Sequence, residues 1–225
     1  MKNTKIKFNQ GNLITSRPLS VGDNTLTNEL KSIFIGLLLG DGSLYRSSPT
    51  SNVRLEVSFG HKSGPWALHL GAIFEAYMSN PVKTLTIKGK SQIYTNYRLK
   101  TKSLPVFLPF FDMFYKWDTN LNKNIKIVPI DIIEYMDPIV LAYLIMGDGN
   151  WDKGRNRVRI YTNSFTKEEV TSLSIAINSK LNIYTGVLHD RKDQWILTIG
   201  AKNLELLRDT VSNHFHASMF YRIGQ

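Results

Sequence analysis

Two stretches of the chain are apolar at nearly every position, and both break off on the same three residues. Residues 34–42 read FIGLLLGDG and residues 141–149 read LAYLIMGDG, which places Asp41 and Asp148 107 positions apart. Neither run leaves a polar face, so each predicts a helix buried all round, most simply against the other. Capping residues mark the starts: Thr27 or Asn28 for the first helix, and Asp137 with Pro138 behind it for the second. The longest run, residues 33–40, is hemmed in by Lys31 and Asp41. A bilayer span takes roughly 20 residues, so no segment is expected to cross a membrane.

The segments downstream of the two runs repeat as well. Residues 53–59 (VRLEVSF) and 157–163 (RVRIYTN) alternate as half-buried strands do. A helix start comes next in both: Gly64-Pro65 before WALHLGAIFEAY, and a Thr166-to-Glu169 capping box before VTSLSIAINSKL. Each helix leads to a pair of strands, KTLTI with QIYTNYRLK around Lys88-Gly89-Lys90, and IYTGVLH with QWILTIG around residues 190–193. SLPVFLPFFDMFY and AKNLELLRDTVSNHF close the two halves as helices. The chain is therefore expected to be α+β, two αββαββα units related by a pseudo-twofold axis, each with an antiparallel sheet. The units cover 26–114 and 138–225, joined by a linker over 115–137 and preceded by a flexible basic arm over 1–25.

Composition narrows the partners. Of 225 residues 42% are apolar, enough for a core, and none is Cys, which excludes disulfides, thiolate metal sites and Cys nucleophiles and fits a reducing or organellar compartment. The formal charge is +10, the signature of a protein that meets a polyanion, with nucleic acid favoured over a membrane surface. The five His residues show no metal-ligand spacing beyond His214-x-His216, which reads as incidental.

The duplicated helix end carries the chemistry. Small residues, Gly36 and Gly40 on one helix and Ala142 and Gly147 on the other, allow close approach, which brings Asp41 and Asp148 together at one end of the pair. That end is the negative pole of both helix dipoles, so two carboxylates there repel unless a hard cation such as Mg²⁺ lies between them. A single G-D-G reads equally well as a glycine C-cap with a solvated aspartate. Two copies at matched places favour the paired carboxylates, and beside a basic surface they suit metal-assisted phosphodiester hydrolysis.

The two nine-residue runs resemble the paired motifs of the LAGLIDADG homing endonucleases in their single-chain, two-motif form. Gly36, Leu37, Gly40, Asp41 and Gly42 match the first motif, and Leu141, Ala142, Leu144, Gly147, Asp148 and Gly149 the second, with Tyr143 where the pattern often has Gly. The resemblance implies a saddle of two sheets around the central helices and cleavage of both strands of a long DNA site across the minor groove, leaving short 3′ overhangs. It implies Asp41 and Asp148 as ligands of divalent metal, with Gly40 and Gly147 beside them in the metal-binding set. Lys126 and Arg222, matched by context, would order water around the scissile phosphate. Arg in place of the more usual Lys holds phosphate through a planar fork and cannot act as a base. A mitochondrial, intron-encoded monomer is implied by the same resemblance.

Strand alternation assigns the DNA-reading faces. Arg54, Glu56 and Ser58, then Gln92, Tyr94, Asn96, Arg98 and Lys100, are expected on the exposed face of the first sheet, and Arg157, Arg159, Tyr161 and Asn163 on that of the second. There Arg would read guanine, Asn or Gln adenine, and Glu56 would accept from cytosine. Lys62, Lys88, Lys90, Lys102, Lys153 and Arg155 lie in loops or strand ends where phosphate contacts are expected. The alternatives to a nuclease are a maturase that binds its own intron RNA, and a DNA-binding regulator of the same fold without chemistry.

Overall fold

The computed structural model describes residues 25–88 and 93–225; Gln92, Lys90 and nearly all of the expected N-terminal arm lie outside them. In the first half, α1 (Asn28–Leu39) leads to β1 (Ser43–Arg46), β2 (Val53–Phe59), α2 (Gly64–Ile73), β3 (Lys83–Lys88), β4 (Ile93–Lys100) and α3 (Leu108–Phe114). The connecting segment is itself built, with a hairpin of β5 (Tyr115–Asp118) and β6 (Lys123–Lys126) before a short α4 (Ile132–Tyr135). The second half repeats the order of the first with α5 (Pro138–Asp148), β7 (Gly149–Asp152), β8 (Arg157–Ile160), α6 (Lys167–Leu181), β9 (Gly186–Arg191), β10 (Gln194–Gly200) and α7 (Leu204–Val211).

Both sheets are antiparallel and share one strand order, β1-β2-β4-β3 and β7-β8-β10-β9. The expected caps form: the Thr27 side chain accepts from the Leu30 N–H, Asp137 accepts from Val140, and Thr166 and Glu169 close their box. Alternation places each strand. In β2 the odd residues Val53, Leu55, Val57 and Phe59 are buried, while Arg54, Glu56 and Ser58 face outward. In α6 the buried residues Val170, Leu173, Ala176 and Ile177 form one stripe, and Asn182 ends the helix at φ 56°. The strand expected at 183–189 begins three residues late, because this left-handed turn precedes it.

Between the sheets stand α1 and α5, whose residues 33–40 and 140–147 are all buried. A Cβ on Gly36 would lie 2.7 Å from the Cβ of Tyr143 and 2.7 Å from the Val140 carbonyl oxygen, so only glycine fits there. Gly36 and Tyr143 hold the same place in the two motifs. The bulk that one helix lacks is supplied by the other, and the Tyr143 ring runs on to Trp66 of α2 at 5.4 Å between centroids. His216 packs beside Trp66 and His69, which ties the second half to α2. Gly36→Ala is expected to push the helices apart and remove about 2 kcal/mol of stability, read as a lower urea midpoint at unchanged slope. An unshifted midpoint would show that the pair is looser than this.

Candidate active site

The motif helices end side by side. After α1 the N–H groups of Gly40 and Gly42 both turn back to the Leu37 carbonyl, at 3.1 and 2.8 Å, which swings Asp41 out of the helix. After α5 the Gly149 N–H caps on the Ile145 carbonyl. A side chain on Gly42 or Gly149 would strike those same carbonyls, so glycine is required after each acid. Gly40 and Gly147 face each other: a Cβ on Gly147 would sit 3.8 Å from the Cα of Gly40, and one on Gly40 3.3 Å from an Asp148 carboxylate oxygen. Their visible work is to let the two carboxylates meet, and the Gly40 carbonyl is already taken by an ammonium of the chain.

That ammonium is Lys126, whose Nζ donates to the carbonyls of Gly40 (2.8 Å) and Gly42 (3.0 Å). Arg222, on the 3₁₀ segment Ala217–Ile223, donates to the Gly149 carbonyl, the counterpart of Gly42, and its Nε is buried without a partner. Each motif end is thus held by one cation at equivalent carbonyls. At this end of the helix pair Asp41 is exposed to solvent and Asp148 is half-buried.

The charges there are mutually strained. Burial raises Asp41 above the ordinary carboxylate range against the pull of Arg222 and Lys126. Burial, and then the charge of Asp41, raises Asp148 to about 7, with Lys126 and Arg222 opposing. Asp148 therefore holds its proton to a higher pH than an ordinary carboxyl. Burial lowers the pKa of Lys126, and both acids work to restore it. A cation between the acids would replace that proton. Among the described residues no third His or carboxylate joins them to complete a metal shell. The remaining ligands would be water and phosphate oxygens, a set that fits Mg²⁺ and not a soft metal.

The sheets flank this centre with ordered charge. Register fixes the equivalences: Ser43 pairs with Glu56 and Asn150 with Arg159, each first residue lying two past its motif aspartate. Glu56 and Arg159 therefore hold one position in the two halves, as Arg54 and Arg157 do. Glu56 is not free to read a base. Its carboxylate takes Arg54 Nε at 2.7 Å, Arg98 at 2.6 Å and Lys100 at 3.1 Å; burial alone would raise it, but these three hold it at about 2. In the second sheet Asp152 holds Arg157 at 3.0 Å and Arg155 at 3.6 Å, while Asp190 holds Arg159 at 2.9 Å. Asn163 donates to Asp190 and Gln194. Arg98 and Arg159 each keep a buried Nε with no partner, a donor still to be satisfied.

The other expected contacts are distributed around this surface. Ser58 and Tyr161 are exposed, and Tyr94 and Asn96 lie half-buried along β4. Lys62 sits in the turn His61–Ser63, Lys88 ends β3, and Lys153 and Arg155 sit in the turn between β7 and β8. Lys102 turns back toward the Ala76 carbonyl. An open basin of about 840 Å³ lies against Arg54, Lys83, Arg98 and Lys100. The acids Asp152 and Asp190, and the hairpin of the connecting segment, carry no signal in the strand alternation and fall outside the expected site residues.

The profile of the "LAGLIDADG DNA endonuclease family" matches residues 31–207. DNA endonuclease I-ChuI of Chlamydomonas applanata is 26% identical over 212 residues, covering 89% of this chain and 96% of that protein. Cytochrome b mRNA maturase bI2 of Saccharomyces cerevisiae is 22% identical over 220 residues, which are 95% of this chain and 51% of the maturase. The solved structure of the homing endonuclease I-WcaI bound to its DNA recognition sequence superposes with a TM-score of 0.78 at 24% identity, covering 88% of this chain and 87% of that one.

Proposed function

Because the chain belongs to the LAGLIDADG DNA endonuclease family, we propose that it is a site-specific homing endonuclease that cuts both strands of a long duplex by divalent-metal-assisted hydrolysis. The observation that carries this reading is the meeting of Asp41 and Asp148 at the open end of two packed helices, with Lys126 and Arg222 beside them and a charged sheet on either side. A pure binder gains nothing from two carboxylates that repel each other above neutral pH.

In the mechanism, the basic faces hold the duplex so that its scissile phosphates lie over the two aspartates. Asp41 and Asp148 would hold Mg²⁺, which when bound activates water and neutralises charge on the phosphate. Lys126 presents an ammonium at the same place, where it would hold and orient phosphate oxygen or water beside the acids. Arg222 serves as a fixed clamp for phosphate oxygen through its planar guanidinium. One chain supplies both halves, so a single protein per duplex is expected in sedimentation. A 2:1 complex would contradict that reading.

The deciding experiment selects cleavable duplexes from a randomised library with Mg²⁺. Recovery of one long, asymmetric family of cut sites is expected, and a protein that binds the library but cuts no member would overturn the proposal. The likeness to the yeast maturase supports a second reading, intron RNA binding within a mitochondrion. It is separated from the first by splicing of the host intron in the presence of Asp41→Asn, which would persist if RNA binding were independent of cleavage.

A further inference from the structure

The hairpin of the connecting segment begins and ends in the catalytic centre. At its base the Tyr115 hydroxyl accepts the Leu44 N–H at 2.9 Å, and the Tyr115 ring stacks on Phe111 at 4.8 Å. Lys126, directly opposite Tyr115, is the residue that reaches Gly40 and Gly42. Residues two apart on a strand share a face, and so do cross-strand partners. Trp117 and its partner Asn124 therefore lie on the same face as Tyr115 and Lys126, roughly 7 Å further out along the strands.

This outer part is exposed. The Asp118 carboxylate takes the N–H groups of Asn120 and Leu121, both at 2.9 Å, and so fixes the turn. Trp117 is 56% exposed, and among the described residues it stacks on no other ring. Lys116 and Lys123 are exposed too, on the opposite face of the hairpin, and Lys126 is the cation that shares the face of Trp117. A large uncovered aromatic on the same face as the lysine of the proposed site suits a nucleic-acid backbone and the wall of its groove.

Resting on the nuclease reading, we propose that Trp117 packs on the target duplex next to the phosphate at Lys126 and so holds one strand in register for cutting. Arg222 is carried by a 3₁₀ segment and not by a strand, so the contact serves one strand more than the other.

The test compares wild type, Trp117→Phe and Trp117→Ala on the duplex recovered by selection, with Ca²⁺ replacing Mg²⁺ for binding. The part of the tryptophan emission that Trp117→Phe removes should be open to acrylamide in the free protein and shielded once DNA is bound. With Mg²⁺, Trp117→Ala should cut about tenfold more slowly and accumulate plasmid nicked always in the same strand, while Trp117→Phe keeps most of the rate. If wild type binds and cuts the duplex while the Trp117 emission stays as accessible as before, or if Trp117→Ala cuts both strands at the wild-type rate, the contact does not exist and the nuclease stands. If wild type cuts nothing, the nuclease reading fails and this contact falls with it.

Discussion

Asp41→Asn and Asp148→Asn each reduce double-strand cleavage by about 10³-fold or more and leave binding to the same duplex within about twofold. The asparagine keeps the shape of the carboxylate but removes the charge a divalent cation needs, and neither acid takes part in the ion pairs that order the sheet faces. Binding is measured by gel shift in Ca²⁺ and cutting by single-turnover plasmid linearisation in Mg²⁺. A neutralised variant that linearises plasmid at the wild-type rate would remove that aspartate from the chemistry. Loss of binding and cutting together would instead make it a structural residue.

Without metal, the contribution of Asp148 to stability falls as pH rises from about 4 to about 7, and Mg²⁺ restores it. In the unfolded chain Asp148 has its ordinary value of 3.8, whereas in the fold it is held at about 7. Between those values the unfolded state has given up a proton that the folded state retains, so rising pH favours unfolding, and the effect is complete above about 7. The partial exposure of Asp148 and its neighbour reduces the full three-unit effect to about 2 kcal/mol. His69 works against it: burial, and then the nearby His216, lowers it to about 4, so it adds stability as pH rises from about 4 to its unfolded value of 6.5. The difference between wild type and Asp148→Asn isolates the aspartate. Urea midpoints at about pH 5.5 and 8, in EDTA and in Mg²⁺, should converge at the lower pH and separate at the higher for wild type alone. Equal slopes in both proteins would show that the acids do not share a strained site.

Much of this fold is legible in the sequence because its signals are local. A threonine or aspartate cap and a glycine after the last turn mark both motif helices, a proline behind the cap marks the second, and period-two alternation marks β2 and β8. The motif pair itself is legible because it occurs twice. The ion pairs are not: Glu56 meets Arg98 and Lys100 across a strand pairing whose register is a tertiary fact. Alternation puts Glu56 on the outer face but says nothing about which cations surround it. The hairpin Tyr115–Lys126 is equally silent in sequence, since much of it is exposed and no apolar rhythm is needed to place it. Arg222 is matched by context alone, and its reach to the second motif depends on a 3₁₀ segment that local pattern does not announce.

The exchange of bulk between Gly36 and Tyr143 makes the two halves non-interchangeable. A dimer built from two first halves would set glycine against glycine and open a void on its axis. One built from two second halves would drive two tyrosines into the same volume. Whatever symmetric ancestor the duplication preserves, each half now folds its seam around the other's deviation from it. A hybrid enzyme assembled from this chain must carry the Gly36–Tyr143 couple across intact, or repair both sides of the seam together.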